Sequence, residues 1–382
     1  MIVYSILSIL LGVLLVTFSF RLERAMQRFR IHKNYTAAIQ APSVSVCVPA
    51  RNETHAMTQC LERVLASDYS KLEVIVFDDE SADNTSYLIN SFAHAGVRFV
   101  PGASLPDGWL GKNHALEVLA REASGTYVLF LDVDTHLQST TISQLVGYAT
   151  TEDLQMVSVI PGRNDVWRPN VLFGHLRYYW KIIMSRASSP ATSSSLWMIN
   201  RHTLLDTIGG FGAHKAAVEP EEQMAALIGA KAYHCLVSDE QLGVSYEKRW
   251  KSQCETSRRL LYPMVGGTKI SAALALSLLA LLNIPLVLII SSLFVDWTWV
   301  HSLAMLYSVL FSLLYSRYTY AIWRRNWWIG AFVWPFVILQ ELVLFIYSIY
   351  GYAKGTITWK GRPVFSPRQV RQVQSITVQS GN

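Results

Sequence analysis

Tyr127-Val128-Leu129-Phe130-Leu131-Asp132-Val133-Asp134 is the stretch on which the fold turns: a short apolar run that ends in two carboxylates two positions apart. A run with no polar alternation implies a strand covered on both faces, as in a parallel sheet flanked by helices. Residues 43–48, 72–77 and 97–100 have the same character, and helical patterns occupy 54–66, 85–95 and 112–122. Strands alternating with helices predict an α/β domain with a mostly parallel sheet.

Sheets of this kind bind ligands beyond the carboxyl ends of their strands. The first strand runs into Pro49-Ala50-Arg51-Asn52-Glu53, the second into Asp78-Asp79-Glu80-Ser81-Ala82-Asp83 and the fourth into Asp132-Val133-Asp134, so three charged clusters converge on one rim. Asp132 and Asp134 can offer oxygen ligands to one divalent ion, and Mg²⁺ or Mn²⁺ can bridge such carboxylates to a diphosphate. In Gly108-Trp109-Leu110-Gly111-Lys112-Asn113, Lys112 stands at a helix start, where its ammonium and free backbone N–H groups can approach phosphate oxygens. Asp79 suits a nucleobase N–H. Asp83 either caps the following helix or touches the ligand, and Arg51 and Glu53 are expected to pair and shape the nucleotide floor.

The 382 residues are 51% apolar and only 16% charged, more hydrophobic than an ordinary soluble chain. Residues 2–20 carry no charge and are nearly long enough to span a bilayer; further apolar blocks lie at 270–295, 299–316 and 327–350. The basic residues follow the first block, which favours a retained anchor over a cleaved signal. Pro285 marks either a kink or a hairpin in the second block. Arg21, Arg24, Arg28, Arg30 and Lys33 against Glu23 place the next domain in the cytoplasm.

Four complete passes would put Lys354, Lys360, Arg362, Arg368 and Arg371 outside, against that rule. The block at 327–350, interrupted by Pro335, Gln340 and Glu341, is therefore expected to be re-entrant or interfacial. Glu341 faces either a neighbouring helix or an acceptor pocket. The net charge of +6 gathers beside membrane segments, which points to anionic headgroups and away from nucleic acid. Cys47, Cys60, Cys235 and Cys254 lack paired metal-ligand spacing and read as structural, and neither His175 nor His202 has a persuasive partner. Residues 167–184 suit an amphipathic element at the bilayer or an ordinary core helix.

The strings PARNE at 49–53, DDESADNT at 78–85, PDGWLGKNHAL at 106–116 and LDVDT at 131–135 resemble inverting family 2 glycosyltransferases of the GT-A fold. With the anchor, the apolar C-terminal block and Trp359-Lys360-Gly361-Arg362-Pro363, the chain most resembles the membrane-bound, lipid-acting branch that glycosylates carotenoids or works beside hopanoid synthesis. The resemblance implies a UDP-sugar or related donor, with Asp79 near the base, Lys112 near phosphate or ribose, Asp134 on the metal and Asp132 near ribose or metal. It implies one sugar moved with inversion to a hydroxyl of a membrane lipid, a carotenoid or another isoprenoid. A ceramide or polyprenyl-phosphate enzyme is the nearest alternative, and a scaffold retaining donor-site residues is a more distant one.

Family members place an acidic pair after Gly-Gly-Phe. Here Gly209-Gly210-Phe211 is followed by Glu219-Pro220-Glu221-Glu222, and counting back from Lys231-Ala232-Tyr233 puts Glu221 at the position of the catalytic aspartate, with Glu222 next. The polymerising enzymes' Gln-x-x-Arg-Trp lacks its glutamine at 246–250, which favours a single transfer. The implied organisation is an anchor at 1–21, a basic linker at 22–40, a GT-A catalytic domain at 41–265, a membrane region of about three helices at 266–352 and a basic polar tail at 353–382. The resemblance suits a multi-pass protein of a bacterial plasma membrane with its catalytic domain in the cytoplasm.

Overall fold

The structure, a computed structural model, describes residues 2–30, 35, 41–163, 176–247, 250–322 and 327–364. Helix α1 (Ile2–Arg28) precedes strand β1 (Val44–Ala50), α2 (Met57–Leu65), β2 (Leu72–Asp78), α3 (Thr85–Ser91), β3 (Val97–Pro101), α4 (Gly111–Glu122) and β4 (Tyr127–Leu131). The apolar runs of the sequence thus become the first strands, with the expected helices between them. Then come β5 (Thr135–His136), α5 (Thr141–Thr151), β6 (Met156–Ile160), β7 (Gly162–Arg163), α6 (Arg177–Met184), β8 (Leu196–Asn200), α7 (Pro220–Ile228), β9 (Tyr233–Val237) and β10 (Ser245–Tyr246).

Seven strands form one sheet in the order β3-β2-β1-β4-β8-β6-β9. Neighbours are parallel except that β8 runs antiparallel to both β4 and β6. Alternate side chains feed opposite faces. Val44, Val46 and Val48 of β1 enter a core with Leu129 and Leu131, whereas Cys47 joins Phe130, Ile75 and Phe77 in the other. Fully burying such side chains is worth about 1.5–3 kcal/mol each. That double burial holds the carboxyl ends of β1, β2 and β4 in register.

The chain continues through α8 (Trp250–Met264), α9 (Lys269–Ser291), α10 (Trp299–Ile322), α11 (Gly330–Lys354) and the strands β11 (Thr358–Trp359) and β12 (Arg362–Pro363). Helices α1, α9, α10 and the block containing α11 are long and apolar enough to cross a membrane. Pro285 lies inside one helix, so the hairpin alternative for that block is excluded. Helix α1 runs past the basic residues as far as Arg28. Of residues 167–184, those at 167–175 lie outside the described residues, and α6 buries Tyr178, Tyr179, Ile182 and Ile183.

Two contacts fix the relative direction of α1 and α10. Tyr307 Oη donates to Ser8 O at 2.7 Å, and Arg317 pairs with Glu23 at 3.0 Å, so the helices run parallel, both toward the α/β domain. The end of α10 meets that domain where Ile322 O lies against Gly162. Helix α11 starts nearby, with Thr319 Oγ1 donating to Trp327 O at 3.0 Å. Its far end meets α8, where Ser348 Oγ donates to Arg258 O at 2.6 Å and Tyr352 Oη to Arg259 O at 2.7 Å. The start of α11 thus lies beside the domain-facing end of α10, and its far end beside α8.

Candidate active site

The loops after β1 and β2 are tied together by short polar side chains. Asn52, at φ 53°, accepts from Ala82 N–H at 2.8 Å, and its own N–H donates to Ser81 Oγ at 2.9 Å. Asp83 accepts from Thr85 N–H at 3.0 Å, Thr85 Oγ1 at 2.5 Å and Thr54 N–H at 3.3 Å. Burial raises its pKa, but the bonds from Thr54 and Thr85 outweigh that and bring it down to about 2. Its carboxylate braces the loop between the two strand ends. Asp78, the last residue of β2, accepts from Ser81 and Ser86 and braces the same turn.

Asp79 is only 3% exposed and lies beside two guanidiniums, Arg362 at 3.1 Å and Arg51 at 3.7 Å. Burial pushes its carboxyl up, and Arg362 and Arg51 pull it down. Arg51 and Glu53, expected to pair, turn to other partners: Arg51 donates to Asp79 O and Lys360 O, and Glu53 forms an ion pair with Lys360. The expected Arg51–Glu53 pair does not form. Adjacent charges on a turn point apart, and the β11–β12 hairpin supplies cations from the far end of the chain.

Lys360 and Arg362 are the functional candidates that the sequence reading passed over. Lys360 Nζ also donates to Arg51 O at 2.6 Å, and Arg362 reaches Glu80 at 2.7 Å. The hairpin covers the start of α4. A Cβ on Gly111 would stand 3.0 Å from Asp79 and 3.4 Å from Arg362, so glycine lets the helix terminus come up against both. Lys112, Arg259, Arg362 and Trp359 line one small recess there. The signal was the basic string at 359–363, which locally reads as a juxtamembrane flank.

On the fourth strand end, Asp132 N–H donates to Ser195 O at 2.9 Å, and its carboxylate forms an ion pair with Lys112. Glu53 is raised first by burial, and Lys360 lowers it; Asp134 and Asp132 both add to the rise. Among the described residues no group of three His, Cys, Asp or Glu side chains could by itself hold a metal ion.

Helix α4 also organises the opposite wall. Asn113, 2% exposed, donates through Nδ2 to His214 O at 2.9 Å, Ala217 O at 2.8 Å and Lys215 O at 3.1 Å. Glu117 accepts from Phe211 N–H at 2.7 Å. Gly210 has φ +73°, and a Cβ there would stand 2.5 Å from Glu117, so this turn requires glycine. Phe211 packs on Phe130 and Trp197, with ring centroids 5.7 and 6.1 Å away. The Gly-Gly-Phe turn is thereby anchored to the strand that carries Asp132, and α7 follows from it with Pro220 at its first turn.

Glu219 pairs with buried Lys181 at 2.5 Å. Glu221 is 1% exposed, and its Oε1 has no hydrogen-bond partner among the described residues. Burial pushes the Glu221 carboxyl up to about 7; Lys181 and Lys112 pull it down while Glu219 pushes it further up. Glu222 is raised for the same first reason, burial, and accepts from Ser189 Oγ at 2.5 Å. It lines a cavity of about 660 Å³ that runs from Lys181 and Ser189 to Leu274, Leu278 and Phe345 on the apolar helices.

Residues 45–203 match the family model described as glycosyl transferase family 2. The chain carries a family 2 glycosyltransferase domain. The match includes Arg51, Glu53, Asp79, Asp83, Lys112, Asp132 and Asp134 and ends before Glu219–Glu222. The fold agrees: a mannosyltransferase from Pyrobaculum calidifontis, solved with GDP-Man and Mn²⁺, superposes with a TM-score of 0.55 at 18% identity, covering 91% of this chain and 99% of that one.

An Escherichia coli relative, WfgD, a UDP-Glc:α-D-GlcNAc-diphosphoundecaprenol β-1,3-glucosyltransferase, is 23% identical over 172 residues, 45% of this chain and 65% of its own length. A 4,4'-diaponeurosporenoate glycosyltransferase of Staphylococcus haemolyticus is 28% identical over 121 residues, 31% of this chain and 32% of its own. The chain thus spans from about a third to just under two thirds of these curated relatives.

Proposed function

We propose that this family 2 domain transfers one sugar from a nucleotide-sugar, UDP-linked, to a hydroxyl of a membrane lipid of the carotenoid or wider isoprenoid class, with inversion. The observation that carries the reading is a donor-type rim, at Asp79, Lys112, Asp132 and Asp134, in the same domain as buried Glu221, whose neighbour Glu222 stands at the head of a cavity that opens among apolar helices. The lipid-linked acceptor in the name of one relative and the diaponeurosporenoate in the name of the other support it.

Glu221 acts as base. It takes the acceptor proton as the hydroxyl oxygen bonds to the anomeric carbon, and the bond to the diphosphate breaks on the opposite face, its electron pair leaving with the nucleotide. A carboxyl raised toward neutrality is matched to that task. Lys112, Arg362 and the α4 terminus hold the diphosphate. Asp132 and Asp134 would hold Mg²⁺ or Mn²⁺, an all-oxygen donor set whose negative charge also adds to the rise of Glu53. Such an ion supplies charge neutralisation at the leaving group.

The direct test incubates the purified protein in nanodiscs with bacterial lipid extract and a panel of radiolabelled UDP-sugars. Label entering the lipid phase supports the reading, and label confined to free sugar or donor refutes it. Arg362→Ala weakens UDP binding about tenfold or more, the scale of one charge-assisted hydrogen bond, with partial recovery in Arg362→Lys, read by calorimetry.

Helix α11 lies within the leaflet next to the catalytic domain and returns to it, leaving α1, α9 and α10 as the crossing helices. The catalytic domain and the tail then share the cytoplasmic side of a bacterial plasma membrane. A cysteine introduced at Gly355 reacts with an impermeant maleimide only after cells are opened; reaction in intact cells would place that end outside.

A further inference from the structure

The cavity beside Glu222 has a second polar feature deeper among the membrane helices. Glu341 of α11 is 1% exposed and lines the cavity wall together with Leu278 and Phe345. One carboxyl oxygen, Oε1, accepts from Leu176 N–H at 2.7 Å. The other, Oε2, is buried with no hydrogen-bond partner among the described residues. Leaving such a group unsatisfied in an apolar setting costs several kcal/mol, so a persistent one marks a place where a partner binds.

The cavity wall is otherwise apolar at this depth, and its rim is open, since Leu274 is 68% and Met184 42% exposed. Three cations line it toward its head: Lys181, paired with Glu219, Arg21, which donates to Ile183 O at 2.8 Å, and exposed Arg186. A hydroxyl or amide can both donate and accept, and so satisfies Oε2 whether Glu341 is ionised or neutral.

We propose that this cavity is the acceptor's binding site, that its chain enters past Leu274, and that Glu341 selects a lipid bearing a second hydroxyl or amide besides the reacting hydroxyl. The inference rests on the transferase reading for the identity of the occupant, but binding can be measured without transfer. Glu341 is a specificity residue and touches no reacting atom.

The test uses the full chain in nanodiscs and two photoreactive diazirine probes of equal chain length, an N-acyl ethanolamine and a plain alkanol, with cross-links mapped by mass spectrometry. The wild type is expected to be labelled at cavity residues such as Leu278 and Phe345, half-saturating at least fivefold lower in the N-acyl ethanolamine than in the alkanol. Glu341→Leu erases that preference, Glu341→Gln, which keeps both hydrogen-bonding roles, retains it, and Leu278→Trp lowers labelling by both probes. UDP binding, measured on each variant, reports whether it is folded.

Equal affinity for the two probes, an undiminished preference in folded Glu341→Leu, or labelling outside the cavity would overturn the proposal. If Glu341→Leu fails to bind UDP, the comparison of the two probes in wild type and Glu341→Gln decides alone. Correct labelling without any sugar transfer would count against the transferase reading and leave the cavity assignment standing.

Discussion

Glu221→Gln is expected to lower transfer by about 10²–10⁴-fold, the contribution of a positioned general base, with UDP affinity changed little. The amide keeps the shape of the side chain in a site where it is 1% exposed, so packing survives while proton acceptance does not. Glu222→Gln should cost less, since that carboxylate lines the cavity head and is held by Ser189. Full activity in Glu221→Gln together with collapse in Glu222→Gln would move the base one residue along α7.

The same carboxyl sets a pH dependence with a definite sign. The base works ionised, so with its pKa at about 7 the rate falls roughly tenfold per unit below neutrality, and this acid limb vanishes from the residual activity of Glu221→Gln. Stability runs the other way. A carboxyl raised on folding favours the neutral form, so its stabilising contribution is present below its ordinary value near 4.5 and is lost as pH rises through about 7. Thermal unfolding should therefore show Glu221→Gln gaining on the wild type between pH 6 and pH 8.5.

The second large effect belongs to the β4 end. Asp134→Ala should reduce transfer by at least about 10²-fold, because loss of a metal ligand forfeits several kcal/mol of leaving-group stabilisation, at 1.36 kcal/mol per decade. The variant should still insert in membranes, since Asp134 is only half-buried and lies outside the core. Dependence of wild-type transfer on Mg²⁺ or Mn²⁺ after chelation is the companion measurement. Unchanged transfer by Asp134→Ala would remove the metal role assigned to it.

The donor half of the domain was legible because its signals are local. Strands β1, β2 and β4 are apolar runs buried on both faces, and each ends in its own polar cluster within a few residues. Strand β8 escaped notice: Leu196–Asn200 is short, and it takes its place between β4 and β6 only through long-range antiparallel pairing. The same limit explains Arg51 and Glu53. Their neighbours in sequence suggested a mutual ion pair, but Lys360, more than three hundred residues away, wins Glu53 once α11 turns back to the domain.

Asn113 shows a milder form of the problem. It stands inside the quoted GWLGKNHA string, yet its three carbonyl acceptors lie at 214–217, and nothing at 106–116 announces them. Glu341 was visible as a misplaced acid in an apolar block, and the re-entrant reading of that block came from the charge of its flanks together with Pro335, Gln340 and Glu341 inside it. What the sequence could not supply was the cavity joining Glu341 to Glu222, which exists only because α6, α8, α9 and α11 pack around it.

The most direct test of a sugar transfer to a membrane lipid is the lipid profile of cells from which the protein has been deleted. The account predicts that one glycolipid disappears while its unglycosylated precursor accumulates, with restoration by the wild-type chain and none by Glu221→Gln or Asp134→Ala. An unchanged glycolipid profile in the deletion, or full restoration by both variants, would contradict it.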